Sequence, residues 1–79
     1  MNRKHINDHY TTTLVNDTKQ GYGALELYLA KQGESKRVAR VIFWDAVGQY
    51  FLEVFATNEI PLIIVEELIA DAKKTINPQ

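Results

Sequence analysis

ALELYLAKQGESKRVARVIFWDAVGQYFLEVFA, from Ala24 to Ala56, is the stretch that decides the fold. It contains three runs, roughly 24–31, 37–44 and 49–56, each rich in β-branched, aromatic or leucine residues. Gln32-Gly33-Glu34-Ser35 and Asp45-Ala46-Val47-Gly48 separate them. Parallel neighbours need a crossover of about a dozen residues or more, so connections this short allow only hairpins. The centre of the chain is predicted to be an antiparallel three-stranded meander.

Register follows from the loops. A four-residue loop at 45–48 sets Trp44 against Gln49, Phe43 against Tyr50, Val41 against Leu52, Arg40 against Glu53 and Val38 against Phe55. An odd-numbered loop centred on Gly33 sets Glu26 against Arg40. Side chains alternate along a strand, so this register sorts the sheet into two faces. Leu25, Leu27, Leu29, Ala39, Val41, Phe43, Tyr50, Leu52 and Val54 make an entirely apolar face that needs a cover. The other face holds Tyr28, Val38, Ile42, Trp44, Phe51 and Phe55 around a central line of Glu26, Arg40 and Glu53.

The cover comes from downstream. Thr57-Asn58-Glu59-Ile60-Pro61 puts capping residue types ahead of a proline whose fixed φ suits a first helical turn. Leu62, Val65, Ile69, Ala72 and Ile76 then recur at helical spacing, with Ile64 and Leu68 widening the stripe. Glu66, Glu67 and Asp71 precede Lys73 and Lys74, as the helix dipole prefers, and Asn77-Pro78 ends the pattern. The expected helix runs from about Pro61 to Thr75.

Upstream the signal is thin. The first twenty residues offer only Met1, Ile6, Tyr10, Leu14 and Val15 as large apolar side chains. Tyr10 to Val15 is β-branched enough for an edge strand, and residues 1–9 are expected to be a flexible tail. Gly21-Tyr22-Gly23 reads as a turn leading into the first strong strand. The whole is a single α+β domain over 10–79: a three-stranded meander, with room for a fourth strand, and one C-terminal helix packed on one face.

With 79 residues there is one small core and no space for a second domain. The chain has no cysteine, which excludes disulfides, thiolate zinc sites and a cysteine nucleophile. Nine basic against ten acidic residues exclude a grossly polycationic nucleic-acid binder. The charges are unevenly spread, with seven basic and four acidic residues up to Trp44, then six acids against Lys73 and Lys74. The longest apolar stretch, Ile60 to Val65, contains Pro61 and falls far short of the ~18 residues of a membrane span. With no secretory pattern at the start, a soluble cytoplasmic protein without a membrane partner is expected.

Raw material for catalysis is sparse. Ser35, the sole serine, lies in a predicted turn with no histidine near it in sequence. Glu66 and Glu67 are adjacent on the helix and diverge by about 100°, so they do not form a carboxylate pair. His5, Asp8 and His9 have metal-ligand side chains and would converge only if the tail were helical, a weak signal that lacks the adjoining glutamate of His-Glu-x-x-His. No enzyme and no cofactor is expected.

The second sheet face therefore carries the functional expectation. Six large apolar residues around a complementary charge row resemble an interface more than a solvated surface. Glu26, Tyr28, Val38, Arg40, Ile42, Trp44, Phe51, Glu53 and Phe55 are the candidate partner-binding residues of a small regulatory or inhibitory protein, homodimeric or docked on a larger partner. Immunity proteins and phage-encoded inhibitors are often of this size. The alternative is single-stranded nucleic acid, stacking on the aromatics with Lys31, Lys36, Arg37 and Arg40 at the phosphates and Trp44 among the bases. A third arrangement, in which Tyr10 to Tyr22 folds over the face, would leave no free surface.

Overall fold

The computed structural model describes residues 1–55 and 59–76. Five antiparallel strands lie side by side in chain order, β1 (Asn2–His5), β2 (Asp8–Asp17), β3 (Tyr22–Lys31), β4 (Glu34–Trp44) and β5 (Gln49–Val54). One helix, α1 (Leu62–Thr75), follows. The α+β class and the C-terminal helix agree with the sequence reading, whereas the sheet has five strands rather than three or four.

The two additional strands come from the polar N-terminal third. Residues 1–9, expected as a tail, form β1 and the start of β2, joined in register from Asn2↔Thr11 to His5↔Asp8. β2 is internal, paired with β3 from His9↔Ala30 to Asp17↔Tyr22, not the edge strand its composition suggested. Threonine explains this: Thr11, Thr12 and Thr13 supply β-branched backbone preference without apolar bulk. Tyr10 is the strand's anchor, 2% exposed in the core.

β4 pairs with β5 as expected, from Ala39↔Val54 through Arg40↔Glu53 and Val41↔Leu52 to Trp44↔Gln49. The β3–β4 hairpin departs from expectation. Lys31 faces Glu34 across a two-residue turn, with Gln32 at φ 53° and Gly33 at φ 82°. Positive φ at both central residues is the type I′ geometry whose twist suits a hairpin. An even loop alone would put Glu26 out of step with Arg40. A β-bulge restores the pairing: Leu27 faces Ala39 but Tyr28 faces Arg37, leaving Val38 as the extra residue.

α1 lies across the face made by Tyr10, Leu25, Leu27, Val38, Ala39, Val41 and Phe43, and buries Ile64, Leu68, Ala72 and Ile76 against it. Its buried stripe is 64-68-72 at i, i+4 spacing, with Val65 and Ile69 half-buried at its flanks. Leu62, expected in the stripe, is 75% exposed. Pro61 occupies the N-cap with no side-chain cap, and the capping types at 57–58, like the stop signal at 77–78, lie outside the described residues. Lys73 and Lys74 sit in the last turn, where the dipole favours cations.

At its C-terminal end the helix comes close to the sheet. A Cβ on Gly23 would meet Ile76 Cγ2 at 3.0 Å, and Tyr50 Oη donates to the Ile76 carbonyl at 3.4 Å. Toward the β1 edge, Arg3 Nη1 donates to Glu67 Oε1 at 2.5 Å and the Met1 ammonium to Thr12 Oγ1 at 2.6 Å. Most contacts of the helix with the sheet fall on β3 and β4, and Leu52 and Val54 of β5 stay about half exposed on the helix side. No helix among the described residues is long and apolar enough to cross a membrane.

Candidate functional site: the open face of the sheet

The face opposite α1 has no second layer among the described residues. Tyr10 to Tyr22 extends the sheet sideways as β2 and the turn after it, so it does not fold over this face. Alternation and register place Thr11, Thr13 and Val15 of β2 on it, then Tyr22, Ala24, Glu26 and Tyr28 of β3. Arg37, Arg40, Ile42 and Trp44 of β4 follow, and then Phe51, Glu53 and Phe55 of β5 and its continuation. The β2 side is threonine-rich; the apolar and charged groups concentrate over β3 to β5.

Eight of the nine candidate partner-binding residues occupy this face, and Val38 does not. The bulge turns it into the helix-side core, where it is 3% exposed. Ile42, flanked across the strands by Ala24 and Phe51, is fully buried and forms the floor of the face rather than its contact surface. Phe51 and Phe55 are the exposed apolar groups, at 43% and 39%.

The same bulge rearranges the charges. Glu26 still stands opposite Arg40, yet its carboxylate is taken by Arg37, whose Nη1 donates to Oε2 at 2.6 Å, and by the Tyr28 hydroxyl, which donates to Oε1 at 3.2 Å. Arg40 turns instead to Glu53, donating from Nε at 3.2 Å and Nη2 at 2.9 Å to one oxygen. The expected line of three becomes two ion pairs side by side. Glu26 is 8% exposed, a buried carboxylate that needs a partner within the chain. Its hydrogen bond holds the Arg37 guanidinium above its usual range, while desolvation first and the Glu26 charge second push the Tyr28 phenol up.

Aromatic rings tie the pairs together. The Arg37 guanidinium lies 4.4 Å from the Phe55 ring centre, and Arg40 lies 5.9 Å from the same ring and 5.7 Å from Tyr22. Tyr22 packs on Trp44 with ring centres 5.0 Å apart. Such contacts add about 0.5–1 kcal/mol each at exposed sites and fix the planar guanidinium over the ring. Arg37 and Tyr22 were not among the expected docking residues. Continuing the alternation two residues back from Ala24 would have found Tyr22; finding Arg37 required the bulge.

The cations expected to meet phosphates are dispersed. Lys36 pairs across from Leu29 and so lies on the helix side, Lys31 reaches toward Asp8 at 3.9 Å, and Arg37 and Arg40 are each bound to a glutamate. Nor are the metal-ligand types gathered. His5 and Asp8 form a cross-strand pair on the helix side, His9 faces the other way against the Asn2 side chain, and no cluster of three such groups occurs among the described residues. Ser35 stands exposed opposite Ala30, and Glu67 is engaged by Arg3.

No family model, curated protein or solved structure matches this chain.

Proposed function

We propose that this protein is a non-enzymatic interaction module that docks its open sheet face onto a larger protein and so regulates or inhibits it. One observation carries the reading: the face exposes Phe51 and Phe55 around charges that are already paired within the chain. A partner can therefore exclude water from the aromatic patch without leaving an orphan charge, whose burial costs several kcal/mol. Aromatic and arginine groups at the centre of a patch are also the side chains that most often dominate binding energy.

Single-stranded nucleic acid is the second reading, supported by the Tyr22–Trp44 ring pair. It is disfavoured by the same two ion pairs, which neutralise the cations beside those rings and add carboxylates to the platform.

Site-specific photocrosslinking in the cells that make the protein tests the leading reading. A benzophenone side chain at Phe51 or Phe55 is expected to give one discrete protein adduct, absent when the probe is at Thr18. Adducts equal at both places, or none, would end it. Salt-sensitive quenching of Trp44 fluorescence by an unstructured oligonucleotide at micromolar concentration would install the second reading instead.

A further inference from the structure

The sheet has two edges, and they are guarded very differently. β1 is four residues long and carries Lys4, exposed to solvent, beside His5 and Arg3, the last bound to Glu67 within the chain. Short, basic edges of this kind repel copies of themselves and resist strand addition. β5, Gln-Tyr-Phe-Leu-Glu-Val, has a single charge, and Glu53 is bound to Arg40 within the chain. It exposes apolar side chains on both faces, with Phe51 at 43% on the open side and Leu52 at 45% and Val54 at 54% on the helix side. Neither proline, bulge nor free charge blunts it among the described residues.

Its backbone is also set for pairing. The Phe55 N–H donates to the Val38 carbonyl at 2.8 Å, so the odd-numbered residues of β5 turn their backbone groups toward β4. Tyr50, Leu52 and Val54 turn theirs outward, where no further strand lies among the described residues.

We propose that two copies of this chain pair along β5, antiparallel, with Leu52 opposite Leu52 of the second copy on a twofold axis normal to the sheet. In that register Tyr50 meets Val54 of the second copy, and every outward N–H and C=O of the three residues finds a partner. The occupant is a second copy because the edge is its own complement. An antiparallel strand pairing about a twofold presents the same groups to itself, and β5 brings no free like charges to the axis. Pairing β5 with a neighbour's β1 would instead be head-to-tail and open-ended, and would set that edge's cations against no free carboxylate on β5.

The helix side contributes packing. Between α1 and β5 runs a groove of about 200 Å³ lined by Val41, Tyr50, Phe51, Leu52, Ile69 and Lys73, and the axis puts the second copy's Leu52 and Val54 at its mouth. A twofold normal to the sheet leaves both open faces on the same side of a ten-stranded sheet. The pairing goes beyond the docking reading and does not depend on it.

Sedimentation equilibrium from low micromolar to submillimolar concentration tests the proposal. The wild type is expected at twice its 9.1 kDa chain mass at the upper end. Leu52→Lys, which sets two ammonium groups on the axis at a half-exposed position, is expected to be monomeric throughout with unchanged far-UV circular dichroism. Val54→Pro, which removes an outward N–H and no bond to β4, should do the same. Trp44→Ala, on the open face, should leave the dimer intact.

A wild type that stays monomeric would overturn the proposal. So would a dimer that survives both β5 substitutions, or one lost on Trp44→Ala and kept on Leu52→Lys. Should the variants fail to fold, amide exchange of the wild type decides: Tyr50, Leu52 and Val54 must be protected in concentrated solution and lose that protection on dilution. Equal exchange at both concentrations would also sink it. None of these results bears on whether Phe51 and Phe55 crosslink to a larger protein.

Discussion

Arg37 Nη1 donates to Glu26 Oε2 at 2.6 Å, although the residue directly across the strand from Glu26 is Arg40. The bulge at Val38 makes this possible. It reverses which way the chain faces below it, so that Arg37 reaches the open face beside Tyr28 while Arg40 is released to Glu53. A buried carboxylate and a half-exposed one are thereby each given their own guanidinium.

Double-mutant cycles separate this arrangement from plain strand alternation. Glu26→Gln with Arg37→Ala is expected to be strongly coupled, because Glu26 is buried and Arg37 is its closest cation. Glu26→Gln with Arg40→Ala should add within the ~0.5 kcal/mol scatter of independent sites. Urea denaturation of the four proteins in each cycle measures both. Coupling to Arg40 that equals or exceeds coupling to Arg37 would show that the bulge is misplaced.

Val38 supplies a second test of the bulge. It is 3% exposed among Leu27, Ala39 and the helix residues, so Val38→Ala should cost about 1–3 kcal/mol and lower Tm by about 4–8 °C per kcal/mol. Val38→Asp should abolish folding, since a carboxylate there has no partner. Under plain alternation Val38 would share the open face with Phe51. A Val38→Asp protein as stable as Phe51→Asp would place it there after all.

The strands β3, β4 and β5 are legible because each is a run of β-branched, aromatic and leucine residues bounded by a short loop, and the Arg40–Glu53 pair follows from the four-residue loop alone. β2 is legible only in part, as an edge strand at Tyr10–Val15, because Thr11–Thr13 carry β preference without an apolar pattern, and β1 is not legible, because Asn-Arg-Lys-His at 2–5 has neither. The helix lies where the sequence reading puts it, but its buried stripe is Ile64, Leu68 and Ala72, residues the reading puts partly at the margin, and it starts two residues after the expected Leu62, since an all-apolar start Leu-Ile-Ile-Val has no preferred face until the sheet selects Ile64. The charge pairing was half legible. Nothing in Lys31-Gln32-Gly33-Glu34 distinguishes a two-residue turn with a later bulge from an odd loop without one, since both leave Glu26 opposite Arg40.

Alkaline pH should weaken the fold through two tyrosines. Burial, and secondarily the Asp8 charge, raises the Tyr10 phenol above its ordinary 10.0, and burial followed by Glu26 raises Tyr28. A group whose pKa is raised on folding contributes stability that is fully present below its unfolded pKa and is lost as pH rises through the folded one. Urea midpoints should therefore stay level from about pH 7 to about pH 9 and fall above about pH 10. Tyr10→Phe should make that fall shallower than in the wild type. An identical slope in the two proteins would remove Tyr10 from the account.

Among the described residues, Ile6 is the one β-branched side chain held at positive φ. It is at φ 57° in the two-residue turn between β1 and β2, where a β-branched side chain crowds the following carbonyl, and 77% of its surface is in water. Left-handed backbone costs an ordinary residue roughly 1–2 kcal/mol, whereas glycine adopts it freely at an entropic cost of about 0.5–1 kcal/mol. The two effects leave Ile6→Gly stabilising by about 0.5–1 kcal/mol, since little burial is lost with the side chain. Gln32→Gly, at φ 53° but unbranched, should gain less. Thermal unfolding is expected to rank Ile6→Gly above Gln32→Gly and both above the wild type. A lower Tm for Ile6→Gly would mean that its side chain makes a contact that the exposed turn does not show, or that the turn is not left-handed at this residue.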